Sequence, residues 1–166
     1  METHLNPEEQ ILSILVRNRP GVLSRVAGVL GRLGYNIASL CVAETADPGV
    51  SRITLTSRAD PDFTDKIRKH LDKLVDVLQV ADFTGAAFLR RELMLIHLTF
   101  RPEERADLLR AIDLCGARIL FLAEGLVLVE AAGEPEHLDG LTACLRAFGA
   151  LAVNRTGTIA LPRRPS

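Results

Sequence analysis

Apolar positions along this chain alternate between two spacings. Gln10 to Arg17 is dense in Ile, Leu and Val and reads as a strand. Asn18-Arg19-Pro20-Gly21 interrupts it. From Val22 the spacing turns helical, with Leu23, Val26, Ala27, Leu30 and Leu33 on one face, until Gly34 stops it. Tyr35 to Glu44 is a second strand, and Ala46-Asp47-Pro48-Gly49 a turn. Val50 to Arg58 alternates: Ile53, Leu55 and Ser57 share one face, Arg52, Thr54, Thr56 and Arg58 the other. Asp60 caps the next helix with Pro61 at its first position, and Phe63, Ile67, Leu71 and Leu74 form its apolar stripe. Val75 to Asp82 closes a βαββαβ unit.

The same order then recurs. Glu92 to Phe100 is a strand, and Pro102 opens a helix carrying Leu108, Leu109, Ile112 and Cys115 that ends at Gly116. Arg118 to Ala123 and Leu126 to Ala131 form a hairpin around Glu124-Gly125. Pro135 opens a helix with Leu138, Leu141, Leu145 and Phe148, and Leu151 to Leu161 ends the unit as extended chain. The expected class is α+β: two βαββαβ units, each an antiparallel sheet with both helices on one face. The expected boundaries are an N-terminal extension over 1–9, a first domain over 10–84, a second over 85–162 and a tail over 163–166. Each sheet should leave its other face bare, and bare faces and edge strands invite a partner, so at least a homodimer is expected.

Composition narrows the function. Twenty basic residues face twenty-one acidic ones, and the balance holds on both sides of Gly85. Nucleic-acid binding calls for a basic patch and aromatic stacking platforms. Here there is one Tyr, six Phe and no Trp, so no nucleic-acid partner is expected. Cys41, Cys115 and Cys144 are odd in number and far apart in sequence, which reads as reduced thiols in a cytoplasmic protein. The polar, acidic start does not read as a signal peptide. No apolar run approaches the ~20 residues of a membrane helix, so no membrane partner is expected.

No catalytic constellation emerges. His4, His70, His97 and His137 lack metal-ligand spacing. Ser24 has no G-x-S-x-G setting. Gly28 and Gly31 lie within a helix and read as close-packing positions against the sheet. One segment does suggest binding. The amides that begin the helix after Gly21 have no internal partners and carry partial positive charge, so a carboxylate can dock there. Gly21 has no side chain to block the approach, and Asn18 offers both donor and acceptor. If two copies pair through neighbouring edges, Asn36, after the helix, could reach such a ligand from the side. The alternative is that Pro20-Gly21 is a plain turn and the two asparagines are caps.

The segment Ile11 to Val26, with its Asn18-Arg19-Pro20-Gly21-Val22-Leu23-Ser24-Arg25 core, resembles the opening of acetolactate (acetohydroxyacid) synthase small subunits. So do Gly34-Tyr35-Asn36-Ile37 with Ser39-Leu40, Thr45-Ala46-Asp47-Pro48 with Ser51-Arg52-Ile53-Thr54, and Lys73-Leu74-Val75-Asp76-Val77. Arg91 to Ile96 and Arg155-Thr156-Gly157 extend the resemblance over nearly the whole chain. The resemblance implies a ferredoxin-like ACT domain followed by a related second domain, in a homodimeric, non-catalytic subunit. It implies a catalytic large subunit as partner, holding thiamine diphosphate, FAD and magnesium, a transferase that condenses pyruvate with pyruvate or 2-oxobutyrate. It further implies feedback by a branched-chain amino acid, usually valine, bound between two ACT domains. Carried over by position, the ligand residues are Asn18, Gly21, Val22, Leu23, Ser24 and Asn36. The second copy has Arg101-Pro102-Glu103-Glu104 where the first has its Asn-x-x-Gly. Two acids there repel a carboxylate, so the second domain is expected to hold no amino acid in this manner. A free-standing ACT regulator and an enzyme on a ferredoxin-like fold are the rival readings.

Overall fold

The structure, a computed structural model, describes residues 8–59, 62–85 and 88–163. They divide into two units, one of residues 1–89 with 158–166 and one of residues 90–157. Both are ferredoxin-like α+β folds.

The first unit runs β1 (Glu8–Arg17), α1 (Val22–Arg32), β2 (Ser39–Glu44), β3 (Val50–Ala59), α2 (Phe63–Leu71) and β4 (Val77–Asp82). Its antiparallel sheet has the order β2-β3-β1-β4. Alternation sets the core: Leu12, Ile14 and Val16 of β1 and Ile53 and Leu55 of β3 point to the helices. They meet Val22, Val26, Val29 and Leu30 of α1 and Ile67 and Leu71 of α2. The α1 stripe is therefore rotated from the expected one. Val22 and Val29 are buried, while Leu23 is 42% exposed. Gly28 and Gly31 face open space, so close packing does not explain them. The expected cap Asp60-Pro61 lies outside the described residues; Asp62 directly precedes α2.

The second unit comprises most of β5 (Phe88–Thr99), a 3-10 turn Pro102–Glu104, α3 (Arg105–Leu114), β6 (Arg118–Ala123), β7 (Leu126–Gly133), α4 (Pro135–Arg146) and β8 (Leu151–Arg155). The strand order is β6-β7-β5-β8. Met94, Ile96 and Leu98 of β5 pack with Val127 and Val129 of β7 on Leu108, Ile112, Leu138, Leu141 and Leu145 of the helices. Arg155, at the end of β8, fastens this unit. Its Nε donates to Glu92 at 2.7 Å, Nη1 to Asp139 at 2.5 Å and Nη2 to the Pro135 carbonyl at 3.2 Å.

Equivalent helices end alike. Tyr35 N–H donates to Leu30 O while Gly34 N–H donates to Gly31 O. Ala117 and Gly116 do the same with Ile112 and Asp113. Both are Schellman ends, which place the glycine at positive φ; Gly34 has φ 74° and Gly116 φ 66°.

The bare-face expectation needs correction in the first unit. The extended chain expected over 151–161 breaks at Thr156-Gly157, and β9 (Ile159–Pro162) groups with the first unit rather than the second. Ala160 packs with Ile11 and Phe83, with Phe88 alongside. Ser39 Oγ accepts from the Thr158 amide at 3.3 Å and pairs with Thr56 Oγ1 at 2.7 Å. Ser13, Thr54 and Thr56, on the face away from the helices, are thus at most 2% exposed. The corresponding face of the second unit stays open, with Leu95 46% and Phe121 50% exposed. Among the described residues no helix is long and apolar enough to cross a membrane.

Candidate functional site

The candidate site is the turn between β1 and α1. The β1 ladder ends as the Arg17 amide donates to Asp76 O and the Asn18 amide to Gly49 O, each at 2.8 Å. Asn18 then braces the turn against the β2–β3 hairpin: Nδ2 donates to Glu44 Oε1 at 2.8 Å and to Pro48 O at 3.0 Å. Two acceptors facing this end of the amide fix its orientation. The Asn18 side-chain oxygen, Oδ1, has no protein partner among the described residues and is left free to accept a hydrogen bond.

Gly21 is the N-cap of α1, at φ 81° and ψ −7°, a conformation that strains any residue with a Cβ. No side chain caps the helix, and no acid lies in its first turn. Helix starts ordinarily recruit Ser, Thr, Asp or Asn for this purpose. The Val22 amide donates to Arg19 O at 3.4 Å, whereas the Leu23 and Ser24 amides have no acceptor among the described residues, so the α1 start keeps two free amides and the positive end of its dipole. Val22 is buried beneath the turn, whereas Leu23, Ser24 and Arg25 are exposed.

The structure brings Asn18, Gly21, Val22, Leu23 and Ser24 together because they are contiguous. It does not bring Asn36 to them. Asn36 follows the far end of α1, an eleven-residue helix and so about 16 Å long. Its carbonyl accepts from Ser57 Oγ at 2.7 Å, and its side chain is exposed.

Three residues at this site were not singled out by the sequence reading. Glu44 holds Asn18. Arg25 pairs with Asp76 at 2.5 Å beside Gly21. The pattern had no signal for these contacts, because the partners lie 26 and 51 residues apart. Glu44 also borders a cavity of about 270 Å3 between β2, β3 and β9, lined by Cys41, Arg52, Thr54, Ile159 and Leu161. Arg52 donates there to Ser13 Oγ at 2.7 Å.

The corresponding turn of the second unit is built differently. Arg101 is its N-cap and Pro102 its first residue. Glu104 hydrogen-bonds the Arg101 guanidinium through Oε1. That bond holds the Glu104 carboxyl below the ordinary carboxylate range, with the Arg101 charge and backbone amide pulling weakly the same way. Oε2 is buried without a partner in hydrogen-bond geometry.

Elsewhere the titratable groups have structural surroundings. The His70 ring contacts Lys66 O at 2.8 Å, and the His137 ring Cys115 O at 3.1 Å. Burial, then the neighbouring Cys144, pushes the Cys115 thiol up, so these two cysteines, distant in sequence, are close in the fold. Among the described residues no group of three His, Cys, Asp or Glu side chains is placed to hold a metal ion.

Comparison with known proteins matches the chain in two successive segments. Residues 12–79 match the model of the AHAS small subunit-like ACT domain. Residues 91–164 match that of the small subunit of acetolactate synthase. The acetolactate synthase isozyme 3 small subunit of Salmonella typhimurium is 37% identical over 155 residues, covering 93% of this chain and 95% of that protein. The acetolactate synthase small subunit of Bacillus subtilis is 33% identical over 156 residues, covering 93% and 91%. The crystal structure of the acetolactate synthase small subunit from Thermotoga maritima superposes with a TM-score of 0.87 at 27% identity, covering 96% of this chain and 99% of that one. With both units matched in order and relatives aligned along almost its full length, the chain belongs to the acetolactate synthase small-subunit family.

Proposed function

We propose that this chain is a non-catalytic regulatory subunit that activates a separate catalytic subunit of acetolactate synthase and makes it sensitive to a branched-chain amino acid, with valine the foremost candidate. The catalytic partner would carry thiamine diphosphate, FAD and magnesium. Together they would condense 2-oxoacids in valine, leucine and isoleucine synthesis in the cytoplasm.

The observation that carries this reading is the open α1 start. Gly21 lies at positive φ, and neither a cap nor a first-turn acid occupies the amides. The effector's carboxylate would sit on those amides, and Asn18 Oδ1 would take its ammonium group. Leu23, an exposed apolar side chain at the same turn, would contact the branched side chain. Asn36 stands at the other end of α1, so a ligand touching both asparagines needs a second copy of the chain. The edge strand β2 is available for such pairing. Effector binding and attachment to the catalytic subunit would then be linked, each changing the affinity of the other.

The experiment is Gly21→Asp. It places negative charge where the carboxylate should sit and a Cβ on a backbone that disfavours one. In the assembled enzyme, valine inhibition is expected to vanish while activation of the catalytic subunit persists. Valine inhibition unchanged in this variant rules out the site.

A further inference from the structure

We infer that Arg25, positioned by Asp76, is the side chain that grips the effector's carboxylate; this rests on the reading above that the α1 start is the effector site. Long side chains on a helix lean back over the preceding turn. Arg25 does so, and its Nη1 lies 3.4 Å from where a Cβ on Gly21 would stand. A guanidinium therefore overhangs the turn in which the Leu23 and Ser24 amides have no acceptor among the described residues.

A cation at this place is electrostatically wrong for the helix, whose positive end favours anions. No acid in the first turn offsets it. What holds Arg25 there is Asp76, from the connection between α2 and β4. Asp76 Oδ2 meets Arg25 Nη2 at 2.5 Å. The Asp76 side chain is only 16% exposed against 49% for Arg25. Asp76 is itself pinned, because its carbonyl accepts the Arg17 amide at 2.8 Å. One edge of the guanidinium is thus spent on a fixed carboxylate. Nη1, on the Gly21 side, has no acceptor among the described residues.

The planar fork of a guanidinium matches a carboxylate, and charge-assisted hydrogen bonds of this kind are the strong ones. Arg17 and Arg19 are also cationic and exposed, but no carboxylate among the described residues fixes either of them. Arg25 alone in this turn is oriented before any ligand arrives. It would add a charged donor to the helix amides, with Asp76 as a positioning residue that does not touch the ligand.

The test separates the carboxylate from the rest of the ligand. L-valine and L-valinamide, which lacks the negative charge, are titrated by calorimetry into the full chain and into Arg25→Met, Arg25→Lys and Asp76→Asn. The preference for valine over valinamide is expected to fall about ten- to a hundred-fold in Arg25→Met, the range for a charged hydrogen bond, with valinamide affinity unchanged. Arg25→Lys should recover part of the preference as a point charge without the fork. Asp76→Asn should lose part of it, because the guanidinium is no longer held. Equal weakening of both ligands, or a full preference in Arg25→Met, overturns the role of Arg25. If Gly21→Asp abolishes valine binding while Arg25→Met keeps its preference, only this inference fails. A wild-type chain that binds neither ligand removes the site reading with it.

Discussion

The third helical position after the cap is Ser24 at the start of α1 and Glu104 at the corresponding turn of the second unit. The two turns differ in their caps and counter-charges as well. In the second unit the chain brings its own carboxylate to the helix start. Arg101 supplies the counter-charge, and Pro102 removes one amide that would need a partner. In the first unit the cap is a glycine with no side chain, Arg25 overhangs the turn with its partner Asp76, and no acid lies in the first turn of the helix. The same fold thus offers one closed helix start and one open one. Topology alone does not decide whether a helix start is open or closed; the residues placed at the turn do.

The largest expected effect comes from closing the open turn. Ser24→Glu gives α1 the acid that the second unit carries at Glu104. An internal carboxylate would compete with the effector at the high effective concentration of a tethered group. Calorimetry should then show valine binding lost, with α1 stabilised by roughly 0.3–1 kcal/mol through its dipole. Ser24→Gln, similar in size but neutral, should retain binding. If Ser24→Glu binds valine as tightly as wild type, the contrast between the turns is structural only.

The next prediction contrasts two arginines. Arg155 spends its donors on Glu92, Asp139 and the Pro135 carbonyl, and the Glu92 side chain is only 8% exposed. Burial alone would lower the Arg155 pKa, but the hydrogen bond it donates to Asp139 and the charge of Glu92 outweigh it and raise it. Arg25 has one carboxylate partner and is half exposed. Arg155→Leu should destabilise the protein by about 3 kcal/mol in urea unfolding, because it removes the charge partner of a buried carboxylate. Arg25→Met should cost about 1 kcal/mol or less, as exposed pairs do. Comparable losses would mean that Arg25 also serves mainly to hold the fold.

The βαββαβ repeat was legible because each element writes its own period into the sequence. Leu12-Ser13-Ile14-Leu15-Val16 alternates as β1 does, and Leu138, Leu141 and Leu145 recur as α4 requires. Gly34 and Gly116 marked helix ends for a local steric reason. The open helix start was legible too, since Gly21 and the lack of a capping residue are local facts. What escaped reading was non-local. Leu23 fits a helical stripe as well as Val22 does, and only the docking of α1 on the sheet decides between them. The return of β9 to the first unit leaves no trace in its own few residues. Thr54 and Thr56 alternate as solvent-facing positions do, yet the chain at Thr158 helps cover that face. Asp76 meets Arg25 from another element, so no spacing predicts the pair.

The smallest expected effect lies in the acid range and concerns the closed turn. Glu104 is held below its ordinary value of 4.5 in the folded chain, chiefly by its hydrogen bond to Arg101. A carboxylate with a lowered folded pKa contributes stability that is fully present above the unfolded value. That contribution disappears as pH falls through the folded pKa, since both states are then protonated. Glu104→Gln lacks this contribution at every pH. Wild type should therefore be more stable than Glu104→Gln at neutral pH, and the gap between their urea midpoints should close well below pH 4.5. High salt should shrink the gap at neutral pH as well, because the Arg101 side chain is 77% exposed. A gap that persists unchanged in acid would mean that Glu104 contributes by shape and packing. The closed helix start would then owe nothing to charge, and the open one would lose its electrostatic rationale along with it.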